Sequence, residues 1–134
     1  MPHFDKHFTL QEANSLIPRV REIFSQIHVL IDEARTPHAR NPEQLTYGRV
    51  NGNAYKPHRT REDILQEINQ LITEITDQGI VIQDVQRGLI DFPAFVEGEE
   101  VFLCYELNDG EQILAWHHLN TGYAGRQPIP EDME

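Results

Sequence analysis

Apolar positions follow two different repeats in the two halves of the chain. From Ala13 to Ala34 they recur every three or four residues, through Leu16, Ile17, Val20, Ile23, Ile27, Leu30 and Ile31. That spacing is one stripe of an amphipathic helix. Thr9 and Glu12 can open it as a capping box, with Phe8 where a hydrophobic staple would pack. Pro18 falls inside the stripe. A proline there removes one ladder bond and costs about 3 kcal/mol in an unkinked interior, so a kink or short break is expected near Ile17. A second stripe, Ile64, Leu65, Ile68, Leu71, Ile72 and Ile75, follows Thr60 as cap, with Glu62 and Asp63 at the positive end of the helix dipole and Gly79 as the stop.

From Ile80 the repeat shortens to two. Turn signals at Arg87-Gly88, Glu97-Gly98 and Asp109-Gly110 divide the sequence into runs at 80–86, 89–96, 99–108 and 111–118. The pattern predicts an α+β fold, with two long amphipathic helices packed on one face of a four-stranded antiparallel meander. A single domain over 1–134 is expected: helix at 1–35, loop at 36–59, helix at 60–79, sheet at 80–118 and a Gly/Pro-rich tail at 119–134.

Two-residue turns would fix the register, and register fixes faces. Asp91 would then oppose Cys104, Phe92 would oppose Leu103, Leu103 would oppose Trp116, and Phe102 would oppose His117. A tight turn at Arg87-Gly88 would set Asp84 opposite Asp91. One sheet face then carries Val81, Val85, Ile90, Phe92, Ala94, Val101, Leu103, Tyr105, Leu107, Leu114 and Trp116, the core side. The other mixes Ile82, Phe95, Phe102 and Ile113 with Asp84, Asp91, Cys104, Glu106 and His117.

That mixed face holds the candidate chemistry. Like charges directly opposite on a sheet repel, so Asp84 beside Asp91 calls for a cation. Carboxylate oxygen and imidazole nitrogen suit a divalent metal, which makes Asp84, Asp91 and His117 the expected metal ligands, with Glu106 nearby. An arginine from the Gly122-Tyr123-Ala124-Gly125-Arg126 turn could serve instead, so Asp84, Asp91, Glu106 and Arg126 form the expected ligand-binding set. Cys104, with Asp91 opposite, reads as an inert buried thiol, and no catalytic residues are assigned.

Charge changes the choice of partners. The 134 residues carry 11 Lys+Arg against 22 Asp+Glu, a net of −11, which argues against nucleic acid or anionic lipid across the whole surface. The distribution is uneven. Between 35 and 61, six basic residues face only Glu43, a local +5 that leaves −16 for the remainder. Nucleic acid is therefore expected at most as a weak contact of that segment. No apolar run reaches the roughly 18 residues of a membrane span, no signal peptide is expected, and one cysteine excludes an intrachain disulfide.

The blocks Phe8-Thr9-Leu10-Gln11-Glu12-Ala13-Asn14, Asp84-Val85 followed by Arg87-Gly88-Leu89-Ile90-Asp91-Phe92-Pro93-Ala94, and Trp116-His117 with Gly122-Tyr123-Ala124-Gly125-Arg126-Gln127-Pro128 resemble those of a small, mostly bacterial family described only as a domain of unknown function. The resemblance implies a cytoplasmic bacterial protein and no activity. It places Asp84, Asp91, His117 and Arg126 in motif blocks. The expected function is a non-catalytic binding module that self-assembles through the apolar part of the mixed face. The alternatives are a metal-dependent, hydrolase-like site on the Asp/His patch and an RNA- or acidic-partner-binding arm at 35–61.

Overall fold

The computed structural model describes residues 1–35 and 60–133. The expected loop at 36–59, and with it most of the basic arm, lies outside the described residues. Helix α1 spans Leu10–Arg35 and helix α2 spans Arg61–Thr76. Five strands follow: β1 Val81–Asp84, β2 Leu89–Val96, β3 Glu99–Tyr105, β4 Ala115–His118 and β5 Gln127–Pro128. They form one antiparallel sheet in chain order. The class is the expected α+β. The fifth strand is a correction, built from part of the tail, where Gln127 and Pro128 pair with Trp116 and Ala115.

Both helix starts use their caps. Glu12 N–H donates to Thr9 Oγ1 at 3.0 Å and Thr9 N–H to Glu12 Oε1 at 2.9 Å; Thr60 and Asp63 repeat the device at α2. Each satisfies two backbone donors that lack intrahelical partners. The expected break at Pro18 does not form, since α1 is helical straight through it. The reason lies on either side: Ala13, Ile17, Val20, Ile23, Phe24, Ile27 and Leu30 are all buried. Breaking the helix would pull part of that stripe out of the core, where each large aliphatic side chain contributes about 1.5–3 kcal/mol.

Those helix residues share one cluster with Ile90, Phe92, Ala94, Val101, Leu103 and Tyr105 of the sheet. Pro93 interrupts β2 without disrupting it. β1 begins opposite Asp91, so among the described residues no strand pairs the second half of β2 on that side, and a proline there forfeits no ladder bond to one. The Pro93 carbonyl on the same edge accepts from Phe8 N–H at 2.8 Å, which ties the N-terminal segment to the sheet.

The β2–β3 and β3–β4 registers are those expected: Asp91 opposes Cys104, Leu103 opposes Trp116 and Phe102 opposes His117. β1 differs. Its connection to β2 spans the four residues Val85, Gln86, Arg87 and Gly88, with Asp84 opposite Leu89 and one extra residue bulged between Ile82 and Asp84. Asp84 Oδ1 accepts from Arg87 N–H at 3.1 Å, and a side chain that caps its own turn favours this wider loop. The faces of β1 are therefore exchanged. Ile82 opposes Ile90 and packs against the core, while Val81 opposes Asp91. A similar change follows β3, where the chain leaves the ladder for a 3₁₀ turn at Leu107–Asp109. Ile113 is then buried and Leu114 is exposed.

Little of the apolar surface behind the self-assembly expectation is exposed. Of its four apolar residues, Phe102 and Ile113 are buried and Ile82 packs on the core, leaving only Phe95 exposed. Among the described residues no helix is long and apolar enough to cross a membrane.

Candidate functional site

Three neighbouring strands each place one polar side chain on the sheet face away from the helices: Asp91 from β2, Cys104 from β3 and His117 from β4. All three are buried, with 2%, 1% and 2% exposure. Cys104 opposes Asp91 across one strand pair, and His117 opposes Phe102, two residues from Cys104. This diagonal lets His117 reach past β3. Its Nε2 stands 3.0 Å from Asp91 Oδ1. One ligand atom from each residue lies within 4.8 Å of the other two.

The hydrogen bonds around this group fix its chemistry. His117 Nδ1 is 2.7 Å from the His118 carbonyl oxygen. A carbonyl only accepts, so Nδ1 carries the proton and donates. In a neutral imidazole, Nε2 is then an unprotonated lone pair aimed at a carboxylate oxygen. Two such acceptors stay in contact only with a proton or a cation between them. Gln83, the residue displaced by the β1 bulge, donates through Nε2 to Asp91 Oδ2 at 3.0 Å and so orients the carboxylate. Burial, and next the charge of Asp91, push the Cys104 thiol up to about 12, so the metal-free thiol is neutral and inert, as the sequence suggests.

The three side chains open into a cavity of about 440 Å³, walled by Gln83, Phe102 and residues 119–123. The wall formed by the last segment is tightly wound, with a 3₁₀ turn at Tyr123–Gly125. A methyl group at Gly125 would lie 2.5 Å from Thr121 Cβ.

Three expected site residues stand elsewhere. Asp84 faces its own turn and does not meet Asp91, because the four-residue connection moved it. Glu106 lies past the end of β3, where Arg87 donates to its Oε2 at 2.6 Å and the Tyr123 hydroxyl to its Oε1 at 2.8 Å. Burial acts to raise the Glu106 pKa, but these donors and the neighbouring Arg126 outweigh it and hold the carboxyl below its ordinary value. Arg126 reaches Asp109 Oδ2 at 2.5 Å and stacks over the Tyr123 ring. Arg87 stacks on the same ring, at 4.3 Å from its centroid. Asp84, Glu106 and Arg126 do not line the cavity. The last two bind the 119–126 segment to the sheet instead.

Sequence reasoning omitted Cys104 from the metal set, although the correct register already put it opposite Asp91. It omitted Gln83 because only the bulge turns that side chain toward Asp91. The family blocks noted in the sequence pass through Asp91, His117 and the loop that walls the cavity. No curated protein and no solved structure matches the chain. Residues 6–129 match the family model described as "Uncharacterized conserved protein (DUF2203)", and the chain belongs to that family.

Proposed function

We propose that the protein holds one divalent transition-metal ion, zinc foremost, between Asp91, Cys104 and His117, and offers a remaining coordination position to a ligand in the cavity. The observation that carries this reading is the fixed Nδ1–H of His117, which leaves Nε2 facing the Asp91 carboxylate at 3.0 Å. Metal-ligating histidines commonly present a lone pair in this way, with the other ring nitrogen donating to a carbonyl or carboxylate. Oxygen, sulfur and nitrogen donors suit zinc. In a tetrahedral zinc site such donors stand about 3.4–3.6 Å apart, so small side-chain movements from the present 3.0–4.8 Å spread complete it.

Three protein ligands beside a cavity describe an open metal site rather than a closed structural one. An ion there can polarise a bound carbonyl or activate water, which keeps the hydrolase-like alternative with Cys104 in place of Asp84. The self-assembly reading keeps only Phe95 exposed of the four apolar residues on which it rested, and nothing new supports the RNA reading.

The test is metal content of the purified protein, measured by mass spectrometry after expression with zinc and removal of loose metal. About one equivalent is expected, with a zinc-dependent rise in Tm that reports binding to the folded state. Asp91→Asn and Cys104→Ser should each lose most of that metal while remaining folded by circular dichroism. A folded wild-type protein that retains no zinc and shows no Tm shift with zinc or cobalt would end the metal reading.

A further inference from the structure

A second chamber adjoins the metal-site cavity. It has a volume of about 490 Å³ and is lined by His3, Phe4, Phe102, Leu119 and Asn120. Phe102, Leu119 and Asn120 also line the first cavity, so the two hollows border the same three residues. The hollows differ in chemistry. The first holds the buried acid, thiol and imidazole; among the described residues that line the second there is no acid, and the exposed His3 is the one titratable group.

Aromatic rings run along this border. Phe4 meets Phe102 edge-to-face at 5.3 Å between centroids, and Phe102 meets His117 edge-to-face at 5.5 Å. A ligand ring entering the chamber would extend this row, and edge-to-face or offset ring contacts add to the value of simple area burial. The chamber floor is held in place by Glu100, which accepts from His3 N–H at 2.7 Å and Phe4 N–H at 3.1 Å. The site charges limit the polar end of the ligand. A divalent ion with one carboxylate and one thiolate is neutral overall, and among the described residues no Lys or Arg lines either chamber. A highly charged group such as a polyphosphate would find no countercharge there.

We propose that the two neighbouring hollows together take one small molecule, with a compact metal-coordinating group in the first and an aromatic ring in the second, the ring seated between Phe4, Phe102 and Leu119. This rests on the metal reading above for the coordinating end.

The probes are acetohydroxamic and benzohydroxamic acid, titrated into cobalt-loaded protein and followed by the visible cobalt spectrum. Both should shift the spectrum, with benzohydroxamate at least about tenfold tighter, as expected for partial burial of one phenyl ring. Phe4→Ala, which removes a ring that lines the second hollow and not the first, should leave cobalt uptake unchanged and bring the two probes within about twofold of each other. Equal affinities in the wild type, or a preference undiminished by Phe4→Ala, would overturn the aromatic subsite while leaving the metal site standing. In metal-free protein, benzyl alcohol should shift the amide signals of Phe4, Phe102 and Leu119 first. That arm judges the chamber even if cobalt fails to bind, and shifts scattered over the surface would reject it.

Discussion

His117 Nε2 and Asp91 Oδ1 meet at 3.0 Å although a whole strand lies between their own. The contact depends on the diagonal register of β2, β3 and β4, which leaves Cys104 between the two. Moving any strand by one residue would turn its member of the group to the helix side. Sheet register, held by the buried helix-facing side chains, therefore sets the site geometry.

Gln83 tests whether the β1 bulge serves this geometry. Its amide donates to Asp91 Oδ2 at 3.0 Å, and its side chain contributes nothing to the core cluster. Groups that orient a metal ligand typically change affinity by about 10–100-fold when removed. Gln83→Leu should weaken zinc binding within that range in competition with a chromophoric chelator. Unchanged zinc affinity in Gln83→Leu would show that Asp91 needs no support from β1.

Cys104 supplies a prediction that does not depend on metal. The folded thiol is buried and pushed up to about 12, first by burial and next by Asp91. Reactivity needs the thiolate. Iodoacetamide at pH 8 should leave metal-free folded protein essentially unmodified and label it completely in denaturant, as read by intact mass. Labelling of the native protein at the rate of a free thiol would contradict both the burial and the shift.

Much of the arrangement was legible in the sequence. Capping boxes and apolar stripes are local signals, and they placed both helices. The tight turn at Glu97-Gly98 sets the β2–β3 register as expected, and the β3–β4 register also agrees although the chain leaves the ladder between Tyr105 and Ala115 instead of turning tightly at Asp109-Gly110. The failure at Asp84 depended on one loop. Arg87-Gly88 reads as a two-residue turn, but Asp84 can cap a four-residue connection by accepting from Arg87 N–H, and the choice between them rests on contacts with Leu107 that lie far along the chain. That one difference removed Asp84 from the site and brought Gln83 into it. Arg126 and Glu106 were found as charged residues near one another, yet their partners, Tyr123, Arg87 and Asp109, come from turns whose paths follow no simple repeat.

Glu100 makes stability depend on pH in a known direction. Partial burial acts to raise its pKa, but donation from the His3 N–H, the His7 ring and the Phe4 N–H outweighs this and lowers it from 4.5 to about 2. A carboxyl depressed in the folded state stabilises the fold above its ordinary value and loses that contribution as the pH falls through the folded value. The loss should therefore run from about pH 4.5 down to about 2. Glu100→Gln should lower Tm near pH 6, and the difference from wild type should shrink across that acid window. Melting curves that stay parallel down to pH 2 would sink the assignment.

The close approach of Gly88 and Leu107 explains why the β1–β2 connection takes its shape. Gly88 has φ +61°, and a Cβ there would lie 2.4 Å from Leu107 Cγ and 2.8 Å from its Cδ1. The left-handed conformation alone costs an L-residue about 1–2 kcal/mol, and forcing a branched side chain aside adds to it. Gly88→Ala should thus destabilise by at least about 2 kcal/mol in urea unfolding. Leu107→Ala opens space at the same point, so the double variant should be less destabilised than the two single losses added together, the mark of residues in contact. Strict additivity would mean that the conformation of Gly88, and not its contact with Leu107, accounts for the whole cost. Because this turn sets the bulge that carries Gln83 to Asp91, Gly88→Ala should also weaken zinc binding, and Leu107→Ala should recover part of that loss.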